Sequence, residues 1–332
     1  MSRYALLLSV AFVFALGGCG GKPSTLPGLE ARVRSHPNSV QWRVALADAY
    51  YQRKMVHDAY VHYSRAVELD GTSYEAAIGL ARVQYELGDY EKAMKAVKRA
   101  VAIKSDGADA LALQGRTYLQ LRDYARAVDR FEKAISIDPA NAEAWESLPI
   151  AHVRAEHLPQ AAEAARRAVK ALPESVSARM NLGLVMALRG DMKGAEAQLR
   201  IARDLNPSDP EPPLRLAEML VEQNKKLKEA YELALESAAI DPRDGSAYGV
   251  AAIALHKMRE TNRAVLELKR HVQIHHQNLR LWLLLSALAQ RNGDVETARI
   301  AAAMAIRIGP RPPDKMDAPT PEFQKLLDEQ YY

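Results

Sequence analysis

The sequence predicts an all-α solenoid, a stack of helical hairpins, and three observations predict it. Alanine returns at Ala59, Ala93, Ala127, Ala161, Ala195, Ala230, Ala264 and Ala298, 34 residues apart except for one step of 35. Several other residue types keep the same beat. Glycine and proline fall at fixed points between the periodic segments, where helices must stop. A period of this length, sustained eight times, marks stacked supersecondary units rather than a globular enzyme core.

With each of these alanines set at position 20, position 7 reads Leu46, Leu80, Gln114, Leu148, Leu182, Leu216, Ala251 and Leu285. Position 8 reads Ala47, Ala81, Gly115, Pro149, Gly183, Ala217, Ala252 and Ser286, and position 27 is Ala in all units except Ser237 and His271. Each unit therefore offers two amphipathic helices of ordinary length. Small residues at positions 8, 20 and 27 let backbones approach, while Leu, Tyr and Phe at positions 7, 11 and 24 fill the gaps. Gly88, Gly190 and Gly293 stand where the first helix ends and tolerate the left-handed conformation there. Pro37, Pro139, Pro173, Pro207, Pro242 and Pro310 at position 32 block continuation of the second helix.

Large residues near position 4 (Trp145, Tyr248, Trp282) and the turn Gly88-Asp89-Tyr90 complete the pattern. Over residues 40–310 the chain resembles the tetratricopeptide repeat (TPR) family. The resemblance implies a right-handed superhelical solenoid of about eight helix-turn-helix repeats. It also implies a protein or peptide segment held in a concave groove lined by first-helix positions 2, 5, 6, 9, 12 and 13. In the first four units these positions include Tyr51, Gln52, Arg82, Tyr85, Arg116, Gln120, Glu146 and Arg154. Tyrosine and arginine are frequent interface anchors. In the last four they include Met180, Asn181, Leu184, Leu214, Arg215, Val221 and Ile253, a more apolar stretch. The lysine–asparagine carboxylate clamp of chaperone-docking members is absent from positions 5 and 9.

The amino terminus carries a second message. Arg3 precedes an apolar run from Tyr4 to Leu16, too short to span a bilayer and matched to a signal-peptide core. Leu16-Gly17-Gly18-Cys19 follows and resembles a bacterial lipobox, and Cys19 is the only cysteine of the chain. Residues 1–18 are read as a signal peptide and Cys19 as the lipidation point. Residues 19–39 form a tether and a short N-terminal cap, with Gly20 to Gly28 flexible. Gly20 stands where inner-membrane lipoproteins carry aspartate, so the resemblance implies anchoring at the outer membrane, facing the periplasm.

At the other end, residues 311–332 read as a proline-rich linker and a capping helix. Thr320-Pro321 opens that helix, with Phe323, Leu326, Leu327 and Tyr331 along one side. Two units break their own rule. Pro149 inside a first helix is expected to kink it, and His271 at a small-residue position is expected to loosen the seventh and eighth units.

Composition narrows the function. A formal charge of +4, with 45 basic and 41 acidic residues well mixed, leaves no basic stripe and argues against nucleic acid. His271, His275 and His276 have metal-capable spacing but no cysteine or carboxylate completes a site, so neither metal nor cofactor is expected. No nucleophile elbow or metalloprotease motif occurs. The sequence reading is a non-catalytic, membrane-anchored scaffold, like lipoproteins that assist assembly of pili, secretion pores or export machinery. A regulatory subunit of a periplasmic cell-wall enzyme is the alternative, and the oligomeric state is not specified.

Overall fold

The structure is a computed structural model that describes residues 25–309. The expected signal peptide, the lipidation point Cys19, the proline-rich linker and the helix from Thr320 lie outside the described residues. Contacts cluster the chain into two compact units, residues 1–105 and 106–332. The first holds α1 (Leu26–Ser35), the hairpin of α2 (Val40–Gln52) and α3 (Val56–Leu69), and the hairpin of α4 (Tyr74–Glu86) and α5 (Tyr90–Ile103). The second holds six hairpins. These pair α6 (Ala108–Gln120) with α7 (Tyr124–Ile137), α8 (Ala142–Arg154) with α9 (Leu158–Ala171), and α10 (Val176–Leu188) with α11 (Met192–Leu205). They continue with α12 (Glu211–Glu222) and α13 (Leu227–Ile240), α14 (Ser246–Lys257) and α15 (Thr261–Ile274), and α16 (Leu279–Arg291) and α17 (Val295–Ile308). No strand occurs among the described residues. The fold class is an all-α helical repeat of the solenoid type.

The periodic alanines are the reason the hairpins close. Seven of the eight are fully buried, and Ala298 in the last unit is 9% exposed. Aromatic residues at position 24 demand glycine opposite. A methyl group at Gly79 would lie 2.1 Å from the Tyr63 ring, and one at Gly115 would lie 2.7 Å from Phe131. Substituting either position forces the ring to move.

Each hairpin turns through one left-handed residue: Lys54, Gly88, Arg122, Glu156, Gly190, Asn224, Arg259 and Gly293, with φ between 52° and 84°. Glycine supplies that conformation in only three units. The 35-residue step has its origin here as well, because the α12–α13 turn holds an extra residue and Lys226 is left-handed too (φ 48°). Side-chain oxygens at a 34-residue recurrence, Ser39, Ser73, Asn141, Ser175 and Asn278, cap first helices by accepting a backbone N–H.

A second recurrence ties one unit to the next. The position-4 side chain donates to the carbonyl oxygen of the preceding position 32. The bonds are Arg43 Nε to Pro37 at 2.7 Å, Trp145 Nε1 to Pro139 at 2.9 Å, Arg179 Nη2 to Pro173 at 3.4 Å, and Trp282 Nε1 to His276 at 2.9 Å. Position 4 thus serves as a latch, and arginine performs it as well as tryptophan.

One expectation needs adjustment, and two others meet the packing. The Gly20–Gly28 tether overlaps structure: α1 starts at Leu26, with Pro27 in its first turn, and buries Leu29 and Val33 against Leu46 and Ala49. Burial of that apolar pair outweighs the glycine-rich composition. Helix α8 spans Ala142–Arg154 with Pro149 buried inside it. Finally, His271 stacks on Tyr248 with ring centroids 3.7 Å apart. Helices α14 and α15 are the most sparsely packed of the eight hairpins, and α15 also packs thinly on α16, in keeping with looser packing of the seventh and eighth units.

Candidate protein-binding face

In the first compact unit α2 and α4 lie side by side, bringing Asp48, Tyr51 and Arg82 onto one face. The Asp48 carboxylate accepts a hydrogen bond from the buried Tyr63 hydroxyl. Asp48 keeps part of its surface open to solvent yet is ringed by protein. Its pKa is raised, chiefly by desolvation, against the lowering effects of the Tyr63 bond and Arg82. Burial and the neighbouring carboxylate in turn push the Tyr63 hydroxyl well above its ordinary range. Tyr51 and Arg82 are half-buried. Tyr85 is different: at 7% exposure it packs edge-on against Tyr90, with centroids 5.4 Å apart.

In the second unit the first-helix residues are knitted to their neighbours. Arg116 Nη1 pairs with Glu143 Oε1 at 2.8 Å, so α6 is tied to α8. Ser175 Oγ donates to Glu146 Oε1 at 2.6 Å, and Asn181 Nδ2 donates to the Glu146 carbonyl at 2.7 Å. Arg215 is held between Glu211 and Glu218 at 2.7 and 2.9 Å. Lys257 Nζ donates to the Val221 carbonyl at 2.7 Å. Gln120 and Arg154 are exposed. Leu214 and Ile253, at 4% and 5% exposure, belong to the core. Buried as they stand, Leu214, Ile253 and Tyr85 present no side chain to a partner. The periodicity places them on the first-helix face, but Tyr90 of α5 packs on Tyr85, and Leu214 and Ile253 lie in the core of the second unit.

Leu184 and Leu188 stand apart. They occupy positions 9 and 13 on α10, one turn apart, and are 44% and 48% exposed. Other units fill those positions with Asp48, Arg82, Arg116, Gln120, Arg154 or Glu222, or bury them, as with Ile253 and Ala287. Helix α12 packs on α14 but not comparably on α10, which leaves this apolar strip open beside the half-buried Met180. Sequence reasoning named Leu184 and missed Leu188; its i, i+4 spacing from Leu184 was the available signal. It missed Asp48 too, because its distinction comes from Tyr63 in another helix.

Among the described residues no group of three His, Cys, Asp or Glu side chains could hold a metal ion. His271 and His275 surround Tyr248 instead, with its ring 3.7 and 5.3 Å from theirs. Burial, then the neighbouring His275, lowers the His271 pKa.

These features define a class: a helical-repeat protein of the kind that serves as a protein–protein interaction scaffold. Models described as tetratricopeptide repeat match residues 54–117, 108–141 and 150–210. The structure is similar to a thermophilic TPR protein of Thermus thermophilus, with TM-score 0.50 and 25% identity over 55% of this chain and 100% of that one. It is similar to Pseudomonas aeruginosa pilF, with TM-score 0.52 and 18% identity over 63% of this chain and 94% of that one. A chain of the APC/C hetero-tetramer Cut9–Hcn1 matches with TM-score 0.56 and 14% identity over 92% of this chain and 59% of its own. The last two likenesses, at low identity, speak of fold alone. No curated protein sequence matches the chain. Over the matched stretches the chain is built of tetratricopeptide repeats.

Proposed function

We propose that the protein is a lipid-anchored scaffold of the bacterial periplasm that helps assemble a pilus, secretion or export complex at the outer membrane. The anchor is Cys19, supported by the apolar core and lipobox-like order of residues 4–19. The partner is a protein segment held on the first-helix face. The observation that carries this reading is the exposed Leu184–Leu188 pair on α10, where each of the seven other units places a charged or amide side chain at one or both positions. Apolar surface held open beside polar neighbours gains from being covered by a partner. Exposed Gln120 and Arg154 lie on earlier first helices of the same unit and supply polar contacts.

The test places a photo-crosslinking residue at Leu184 and, separately, at Leu188 in cells. Both sites should capture a structural subunit of such a complex, and a site on the outer face, such as Ala125, should not. Capture of a cell-wall enzyme alone would overturn the assembly reading. For the anchor, Cys19→Ala should abolish acyl-probe labelling and release the protein from the outer-membrane fraction. Equal labelling in both proteins would remove the anchor from the proposal.

A further inference from the structure

One second helix carries a charge that its fellows do not. Within α5, Lys92, Lys95, Lys98 and Arg99 stand against Glu91 alone, and Lys104 follows directly. The next most basic second helices, α9 and α15, hold three cations against one acid each. The α5 cations and Lys104 are all exposed, as are Ala102 and Ile103 beside them. Lys92, Lys95, Arg99 and Ala102 fall three or four residues apart and so line one side of the helix. Local contacts leave the charge in place. Lys92 meets Asp89 at 2.9 Å in a solvent-exposed pair, which binds weakly. Arg99 Nε donates to the Gly71 carbonyl at 2.8 Å, and Lys104 lies over the Tyr74 ring.

This face shares its layer with the amino-terminal end of the solenoid. Leu29 and Val33 of α1 stand 34 residues before Tyr63 and Val67 of α3, which makes α1 the second helix of a partial unit. Helices α1, α3 and α5 therefore occupy one layer of the first compact unit. On α3, Val61 takes the place that Lys95 takes on α5, and it is 60% exposed.

We propose that the outer face of α5 rests on the anionic phospholipid headgroups of the membrane that holds Cys19, an inference that depends on the anchor proposed above. Charge complementarity and tether length select that occupant. Residues 20–25 can span about 20 Å when extended, so the anchor keeps the first compact unit beside the bilayer. Headgroup attraction reaches about 8 Å at physiological salt, and each basic residue near an anionic surface favours the bound state about fivefold. Val61 adds an uncharged apolar contact in the same layer.

The test uses the full acylated chain in lipid vesicles. With Cys19 acylated, Ala102→Cys supplies the one free thiol, and a fluorophore placed there reports contact with spin-labelled headgroups. Quenching should be strong in vesicles of phosphatidylcholine and phosphatidylglycerol, and lost in phosphatidylcholine alone or at about 0.5 M salt. The double substitution K95Q/K98Q removes two exposed charges and should lower the bound-to-free ratio about thirtyfold, whereas Glu91→Gln should raise it. A fluorophore at Gln52→Cys, exposed on a first helix, should stay unquenched throughout. Quenching at residue 102 that is absent, indifferent to phosphatidylglycerol or unchanged in K95Q/K98Q overturns the proposal and leaves the anchor standing. An acidic protein crosslinked at residue 102 without lipid quenching overturns it too, by giving the face to a protein. A chain that takes up no acyl probe overturns the anchor and this proposal together, and that labelling is read before any vesicle is made.

Discussion

The eight left-handed turn residues make opposite predictions at equivalent positions. Gly190 sits at φ 84°, and a methyl group added there would meet nothing within 4 Å. The cost of Gly190→Ala is therefore torsional and not steric. A left-handed L-residue costs about 1–2 kcal/mol, and the stiffer unfolded chain returns about 0.4–1 kcal/mol of that. The variant should lose about 1 kcal/mol. Arg122 holds the same place in the third hairpin at φ 60°. Its side chain is exposed, and its N–H donates to the Leu119 carbonyl at 3.1 Å, a bond glycine retains. Arg122→Gly should therefore gain up to about 1 kcal/mol by the reverse of the same terms. Urea unfolding reads both effects as opposite shifts of the midpoint at unchanged slope. If both variants moved the same way, or Gly190→Ala were neutral, left-handed strain would not be the force acting on these turns.

Four further outcomes follow from the packing and electrostatics. Ala127→Leu, at a fully buried site, should cost about 1–3 kcal/mol, while Ala125→Leu on the exposed side of α7 should stay within about 0.5 kcal/mol; thermal unfolding compares them. Tyr85→Ala should destabilise the fold by about 3 kcal/mol, as large-to-small core changes do, and any loss of partner capture should track that unfolding. Trp145→Phe removes the donor to Pro139 and should cost about 1 kcal/mol, measured by the same denaturation. Asp48 has a raised native pKa, so between its ordinary value of 3.8 and that raised value the folded chain holds a proton the unfolded chain has released. Stability contributed by this group therefore falls as pH climbs through that window. Asp48→Asn should melt higher than wild type at pH 7, with the difference closing below about pH 4.

The fold was legible because it is written many times over. A single alanine says little, but eight in register fix both helix faces, and the helices fall where the period places them. The face itself was only half legible. Periodicity identifies which side of a first helix looks away from its own partner helix, so Arg82, Arg116, Gln120, Arg154 and Leu184 were found. It does not say how closely the adjacent first helices approach. That distance decides whether position 5 or 9 is covered, which is why Leu214 and Ile253 are core while Leu184 is open. The caps and latches were also present in the sequence, as Ser39, Ser73, Asn141, Ser175 and Asn278 and as Arg43, Trp145, Arg179 and Trp282. They escape notice because chemically different residues perform the same hydrogen bond.

The latches have a consequence for how such a chain is taken apart and rebuilt. Where Leu111 holds position 4, an apolar side chain can donate nothing, Ser105 replaces proline at position 32, and Gly107 brings no side-chain cap to α6. The loop lacking all three fastenings is where the chain divides into its two compact units. A loop without these fastenings imposes few demands on the identity of the residues flanking it. Recombination between related repeat arrays therefore costs least at Ser105–Gly107, and blocks exchanged there carry their own fastenings with them. Exchange inside the Pro139–Trp145 or His276–Trp282 pairs would separate a donor from its acceptor.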